Sequence, residues 1–204
     1  MRILVFISCL LFLSNHNKDE NPIIRALKSN HTKIKKVTEK IDQHELQIMI
    51  SIKDEKSNIY DYDYNFNPRN YYYPASTVKF PIALFTLEKI NEFPLINIDT
   101  PYRIQNDTTM HSIRKDINKI MVMSSNEAYN RLFEFLGQDY INEKLDKKGF
   151  KNSRIVHRLS TPNSENLRTK NVLFYASDST LVFNSINKKA KNLKLKNTML
   201  GRGF

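Results

Sequence analysis

Lys79 stands in the first turn of an apolar helical run. The segment from about Ser76 to Asn91 places it among Val78, Phe80, Ile82, Ala83, Leu84 and Phe85. A fold that buries this helix must also accommodate the cation, because an ammonium removed from water without a partner is strongly unfavourable. Two further helical stretches follow at about 112–124 and 126–136. Gly137 and Gly149 fall where such helices would stop.

Before this block the sequence reads differently. Residues 22–41 carry Ile23, Ile24, Leu27, Ile34, Val37 and Ile41 at roughly helical spacing, with Pro22 at a permitted first-turn position. Leu46, Ile48, Ile50 and Ile52 alternate as in a strand, and Ile59, Tyr60, Tyr62, Tyr64 and Phe66 predict a second strand. Lys53 to Asn58 would form the hairpin loop, and Asn67-Pro68-Arg69-Asn70 ends the pattern. The tyrosines Tyr71-Tyr72-Tyr73 read as wall packing. The expected class is α/β, a helical part with an antiparallel sheet.

Glycine usage narrows the chemistry. Only four glycines occur among 204 residues, at 137, 149, 201 and 203, so neither G-x-G-x-x-G nor the P-loop can be spelled. The lone cysteine, Cys9, excludes an internal disulfide framework and a cysteine-based zinc site. Histidines 16, 31, 44, 111 and 157 form no close ligand pair, so no metal or other cofactor is expected. The net charge of +11 could attract an anionic polymer. The lysines are scattered, however, apart from Lys33, Lys35 and Lys36 and the tail from Lys188 to Lys196. A solvated basic surface is the expectation, with no nucleic-acid partner.

Arg2 precedes the apolar run Ile3 to Leu13, and the chain turns polar at Ser14. A basic start and a short apolar core fit a secretory signal peptide over residues 1–16, and the run is too short to span a membrane. The expectation is export to the periplasm, without a lipoprotein anchor at Cys9, of one domain over residues 17–204.

Ser-x-x-Lys occurs three times, at Ser76/Lys79, Ser112/Lys115 and Ser185/Lys188. Only in the first does the lysine lie inside an apolar helix. Residues i and i+3 share a helix face, so the Lys79 amine can lie near the Ser76 hydroxyl. A serine is a weak nucleophile until a base takes its proton, and partial burial suits a lysine to that role. The alternative is a helix cap at Ser76 with Lys79 snorkelling to solvent. Ser124-Ser125-Asn126 adds a second hydroxyl and an amide directly after an apolar helix, although a cap between two helices has the same composition.

Pro74-Ala75-Ser76-Thr77-Val78-Lys79, together with Ser124-Ser125-Asn126 and the following Glu127-Ala128-Tyr129-Asn130, resembles the penicillin-recognising serine hydrolases, class A β-lactamases in particular. The block from Gly149-Phe150 through His157-Arg158-Leu159 to Glu165-Asn166 is also similar to exported relatives in that superfamily. The resemblance implies a β-lactamase/transpeptidase-like fold and hydrolysis of a β-lactam amide through an acyl-enzyme. It implies Ser76 as nucleophile, Lys79 as base or proton relay, Ser124 as proton donor to the leaving nitrogen, and Asn126 as holder of the substrate's side-chain amide.

Three departures from the family pattern stand out. Ser125 replaces the usual aspartate. Glu165 is the carboxylate available to activate a deacylating water, but Thr169 stands where the family's asparagine would be. No Lys-Thr-Gly or Lys-Ser-Gly occurs in the 204 residues. The expectation is therefore a C-terminally truncated member with an incomplete sheet. Tyr140-Ile141-Asn142 spells the Tyr-x-Asn variant of other classes but continues a polar helix.

The substrate expected is a β-lactam or a peptidoglycan peptide, acted on by a monomer. The alternatives are a D-Ala-D-Ala peptidase or penicillin-binding relative, an inactive truncated fragment, and a basic protein that binds an anionic polymer.

Overall fold

The computed structural model describes residues 21–70, 72–186 and 188–191. The signal peptide expected over 1–16, and the basic tail beyond Lys191, lie outside the described residues. The chain divides into two compact units, with the boundary after Asn70.

In the first unit the single helix expected over 22–41 is two short ones, α1 (Pro22–Leu27) and α2 (Thr32–Thr38). Asn21 caps α1 by accepting from the Ile23 N–H at 2.9 Å, and Pro22 occupies the first turn. The His31 ring nitrogen accepts from the Lys33 N–H at 3.3 Å. This starts a second helix where the apolar spacing alone suggested continuity.

Strands β1 (Ile48–Lys53) and β2 (Ile59–Tyr64) form the expected antiparallel hairpin. Ile48, Ile50 and Ile52 pair with Tyr64, Tyr62 and Tyr60, which sets one apolar and aromatic face. The loop is pinned by Asp54, whose carboxylate accepts from the Asn58 N–H at 2.8 Å and from its amide at 2.9 Å.

In the second unit a 3-10 turn, Ala75–Val78, runs into α3 (Lys79–Ile90). Helices α4 (Ile113–Met123), α5 (Asn126–Leu136) and α6 (Gln138–Lys147) follow. Helix α5 packs against both α3 and α4. It buries Ala128, Tyr129, Leu132, Phe133, Phe135 and Leu136, nearly its whole circumference. Each of the larger of these contributes roughly 1.5–3 kcal/mol of transfer free energy.

The sequence pattern predicts no strand after residue 66. The structure corrects it with β3 (Tyr102–Ile104), β4 (Val172–Tyr175) and β5 (Leu181–Ser185), antiparallel in the order β3-β4-β5. Val172 to Tyr175 is a short continuous apolar run, which periodicity cannot assign to helix or strand. The Phe174 ring meets Phe135 edge-on at 5.4 Å, so this sheet covers the C-terminal end of α5.

Among the described residues two carboxylates, Asp116 and Glu134, are buried, each with partners. Asp116 accepts from the Arg131 guanidinium at 2.5 and 2.9 Å and from the Tyr102 hydroxyl. Burial, then the Asp116 charge, drives the Tyr102 phenol well above its usual range. Glu134 is gripped by Arg158.

Candidate functional site

The 3-10 turn before α3 decides the geometry. With three residues per turn, side chains at i and i+3 eclipse, so Ser76 stands directly over Lys79. Ala75, just before it, has φ of 47°, an uncommon left-handed value for a residue with a Cβ. This sharp entry leaves Ser76 exposed while Lys79, only 3% exposed, lies beneath it.

Helix α4 ends at Ser124 in the left-handed conformation, φ 52°, which caps the helix. The same bend turns both oxygens of Ser124 toward the lysine. Lys79 Nζ donates to Ser76 Oγ at 3.2 Å, to Ser124 Oγ at 3.0 Å and to the Ser124 carbonyl oxygen. Three acceptors therefore surround the three donors of an ammonium. Burial pulls the amine below its usual value, and the Glu127 carboxylate opposes this. Glu127 itself is held below the usual carboxylate range by its own backbone N–H and the Ser125 hydroxyl.

Ser125 does the structural work of a cap. Its Oγ accepts from the Ala128 N–H at 3.2 Å and donates to Glu127 Oε2 at 2.9 Å. The departure from aspartate therefore leaves the α4–α5 junction with a side-chain tie.

Asn126 opens α5, and its Nδ2 donates to Ser160 Oγ at 2.9 Å. Two turns of contact hold that loop against the helix. The Asn130 side chain donates to the Leu159 carbonyl at 2.9 Å and accepts from its N–H at 2.7 Å. Tyr129 donates to the His157 carbonyl at 3.0 Å. Arg158 donates to the carbonyls of Asn166 at 2.8 Å and Arg168 at 3.1 Å as well as to Glu134.

Glu165 lies on the exposed side of this loop, at an open depression lined by Asn163, Ser164 and Asn166. It is not joined by a hydrogen bond to Ser76, Lys79 or Ser124 among the described residues. Of the residues expected from the sequence, Ser76, Lys79 and Ser124 are joined by hydrogen bonds, while Asn126 bonds to Ser160, which the sequence did not single out. Of the other Ser-x-x-Lys serines, Ser112 caps α4. Asn142 tethers α6 to Ile155 through both ends of its amide, so the Tyr-x-Asn sequence belongs to packing. Among the described residues no group of His, Cys, Asp and Glu is arranged to hold a metal, and no helix is long and apolar enough to cross a membrane.

A lysine amine between two serine hydroxyls, on adjoining helices of a mixed helix-and-sheet fold, is the arrangement of a β-lactamase-like serine hydrolase. Residues 31–202 match the family model described as the beta-lactamase enzyme family. The chain belongs to that family. No curated protein and no solved structure gives a significant match.

Proposed function

We propose that the protein is an exported serine hydrolase that opens a β-lactam amide through an acyl-enzyme on Ser76. The observation that carries this reading is the position of Lys79 Nζ, within 3.2 Å of one serine hydroxyl and 3.0 Å of the other.

As a neutral amine, Lys79 keeps donors for the two Ser124 oxygens and turns its lone pair to Ser76. It takes the Ser76 proton as Oγ bonds to the lactam carbonyl carbon. The carbonyl electron pair moves onto oxygen, where the Ser76 N–H at the turn would supply a hydrogen bond. When the carbon–nitrogen bond breaks, Ser124 gives its proton to the departing nitrogen and recovers one from the Lys79 ammonium. An ester on Ser76 results. Asn126 would hold the acyl side chain. Glu165 is assigned to activate the water that frees the ester, so Glu165→Gln should leave labelling of Ser76 intact and slow its release. The basic, apolar leader from Arg2 to Leu13 supports export.

Incubation with a fluorescent penicillin tests the reading. Covalent labelling lost in Ser76→Ala and kept in Ser112→Ala supports it, whereas labelling that survives Ser76→Ala overturns the nucleophile.

A further inference from the structure

Lys79 carries a cation into the interior, yet each acceptor around its Nζ is neutral: the Ser76 and Ser124 hydroxyls and the Ser124 carbonyl. Hydrogen bonds satisfy the donors of a buried ammonium and leave its charge without a counter-ion. The α4–α5 junction holds a carboxylate close by. Ser125, next in the chain to Ser124, donates its hydroxyl to Glu127 Oε2 at 2.9 Å. Glu127 stands in the first turn of α5, where a helix N-terminus favours negative charge. The other cation beside it, Arg131, is committed to Asp116 through bonds of 2.5 and 2.9 Å. Other charges on the helices packed against α3 are matched or face solvent. On α4, Arg114 belongs to Asp99, and Lys115 and Lys119 are exposed. On α5, Glu134 belongs to Arg158. On α6, Lys144 and Lys148 meet Glu88, about 13 Å along α3 from Lys79 by helical rise. Glu127 is the charge that acts on Lys79.

We propose that Glu127 is a positioning residue for the acyl-transfer site: fixed by Ser125, its carboxylate supplies the negative charge that stabilises the ammonium formed when the Ser76 proton passes to Lys79 Nζ. With serine at 125 in place of the usual aspartate, the junction keeps a carboxylate two residues on. An ammonium stabilised in this way makes its amine the stronger base. This rests on the acyl-transfer reading above.

The charge can be removed and put back. Glu127→Gln loses it and keeps an oxygen for the Ser125 hydroxyl. Ser125 Oγ lies 2.9 Å from Glu127 Oε2, so Ser125→Asp on that background returns a carboxylate to the same place. The second-order rate of Ser76 acylation by benzylpenicillin is measured by mass spectrometry from neutral pH up to 10.5, the ordinary lysine value. Thermal unfolding is followed in parallel. In Glu127→Gln the inflection should move to lower pH, and the rate above it should fall by up to about fivefold, the size of an exposed ion pair. The double variant should return both toward wild type. A purely structural defect would lower the rate and leave the inflection in place. An unmoved or raised inflection in Glu127→Gln, or a shift that Ser125→Asp does not recover, overturns the role of Glu127 alone. Absence of any adduct on wild-type Ser76 overturns both readings.

Discussion

Arg158 and Glu134 meet through two parallel hydrogen bonds of 2.6 and 3.0 Å, with both side chains less than a tenth exposed. The Lys170 N–H adds a third bond to the same carboxylate at 2.7 Å. The guanidinium also lies 5.1 Å from the Phe133 ring centroid. One ion pair thus joins the central helix to both ends of the 158–170 loop.

Removing one partner leaves the other charge buried and uncompensated. Glu134→Gln is expected to lower stability by about 3–5 kcal/mol, read from urea unfolding at neutral pH. A loss under about 1 kcal/mol would show that the pair is replaceable by solvent.

The Lys79 amine sits below its ordinary value of 10.5, chiefly through burial. Its base form therefore becomes available at lower pH than that of a free lysine, and Ser76 acylation should rise with pH to an inflection below 10.5. Between the folded and unfolded values the unfolded chain binds the proton more readily, so this group's contribution to stability grows as pH rises through that window. Lys79→Arg keeps the charge without a titratable amine and should slow acylation by about 10²–10⁴. An acylation rate flat with pH in the wild type would remove the base role.

Lys89 offers a second titration of the same sign. Burial, then the Lys188 charge, lowers it to about 8, with Glu92 opposing. Its Nζ donates to the Phe135 and Leu136 carbonyls at the end of α5, at 2.5 and 3.1 Å. Lys89→Met should destabilise by about 1–3 kcal/mol, since those carbonyls lose their donor. The gap between wild type and variant should widen as pH rises from about 8 toward 10.5. Thermal melts across that range check it, and a narrowing gap contradicts the assignment.

Ser125 is tested by its cap. Ser125→Ala should lower stability by about 1 kcal/mol, while Ser125→Asp should restore most of it, as judged by chemical unfolding.

Much of the site was legible because a cation in an apolar helix is conspicuous. Lys79 stood out among Val78, Phe80 and Ile82, and the spacing to Ser76 followed. The same reasoning reached neither Glu134, set between Phe133 and Phe135, nor Asp116, one turn after Ser112 on the buried side of α4. Their partners, Arg158 and Arg131, lie 24 and 15 residues away, and no local spacing announces such pairs. Ser160 was hidden for a related reason: it meets Asn126 because Tyr129 and Asn130 hold the main chain of His157 and Leu159, and polar loop residues look alike in sequence. The break between α1 and α2 turned on one histidine cap, and β4 was too short for its periodicity to show.

Ser124 meets the lysine twice, once with its hydroxyl and once with its carbonyl. The first contact is written in the side chain, the second in the course of the main chain at the end of α4. Any residue that tolerates this left-handed turn would keep the second. A lineage could therefore lose the hydroxyl contact by a single codon change and still hold the lysine where it is. Anchorage of the lysine and the hydroxyl beside it are inherited separately at this position, so one can change without rebuilding the other.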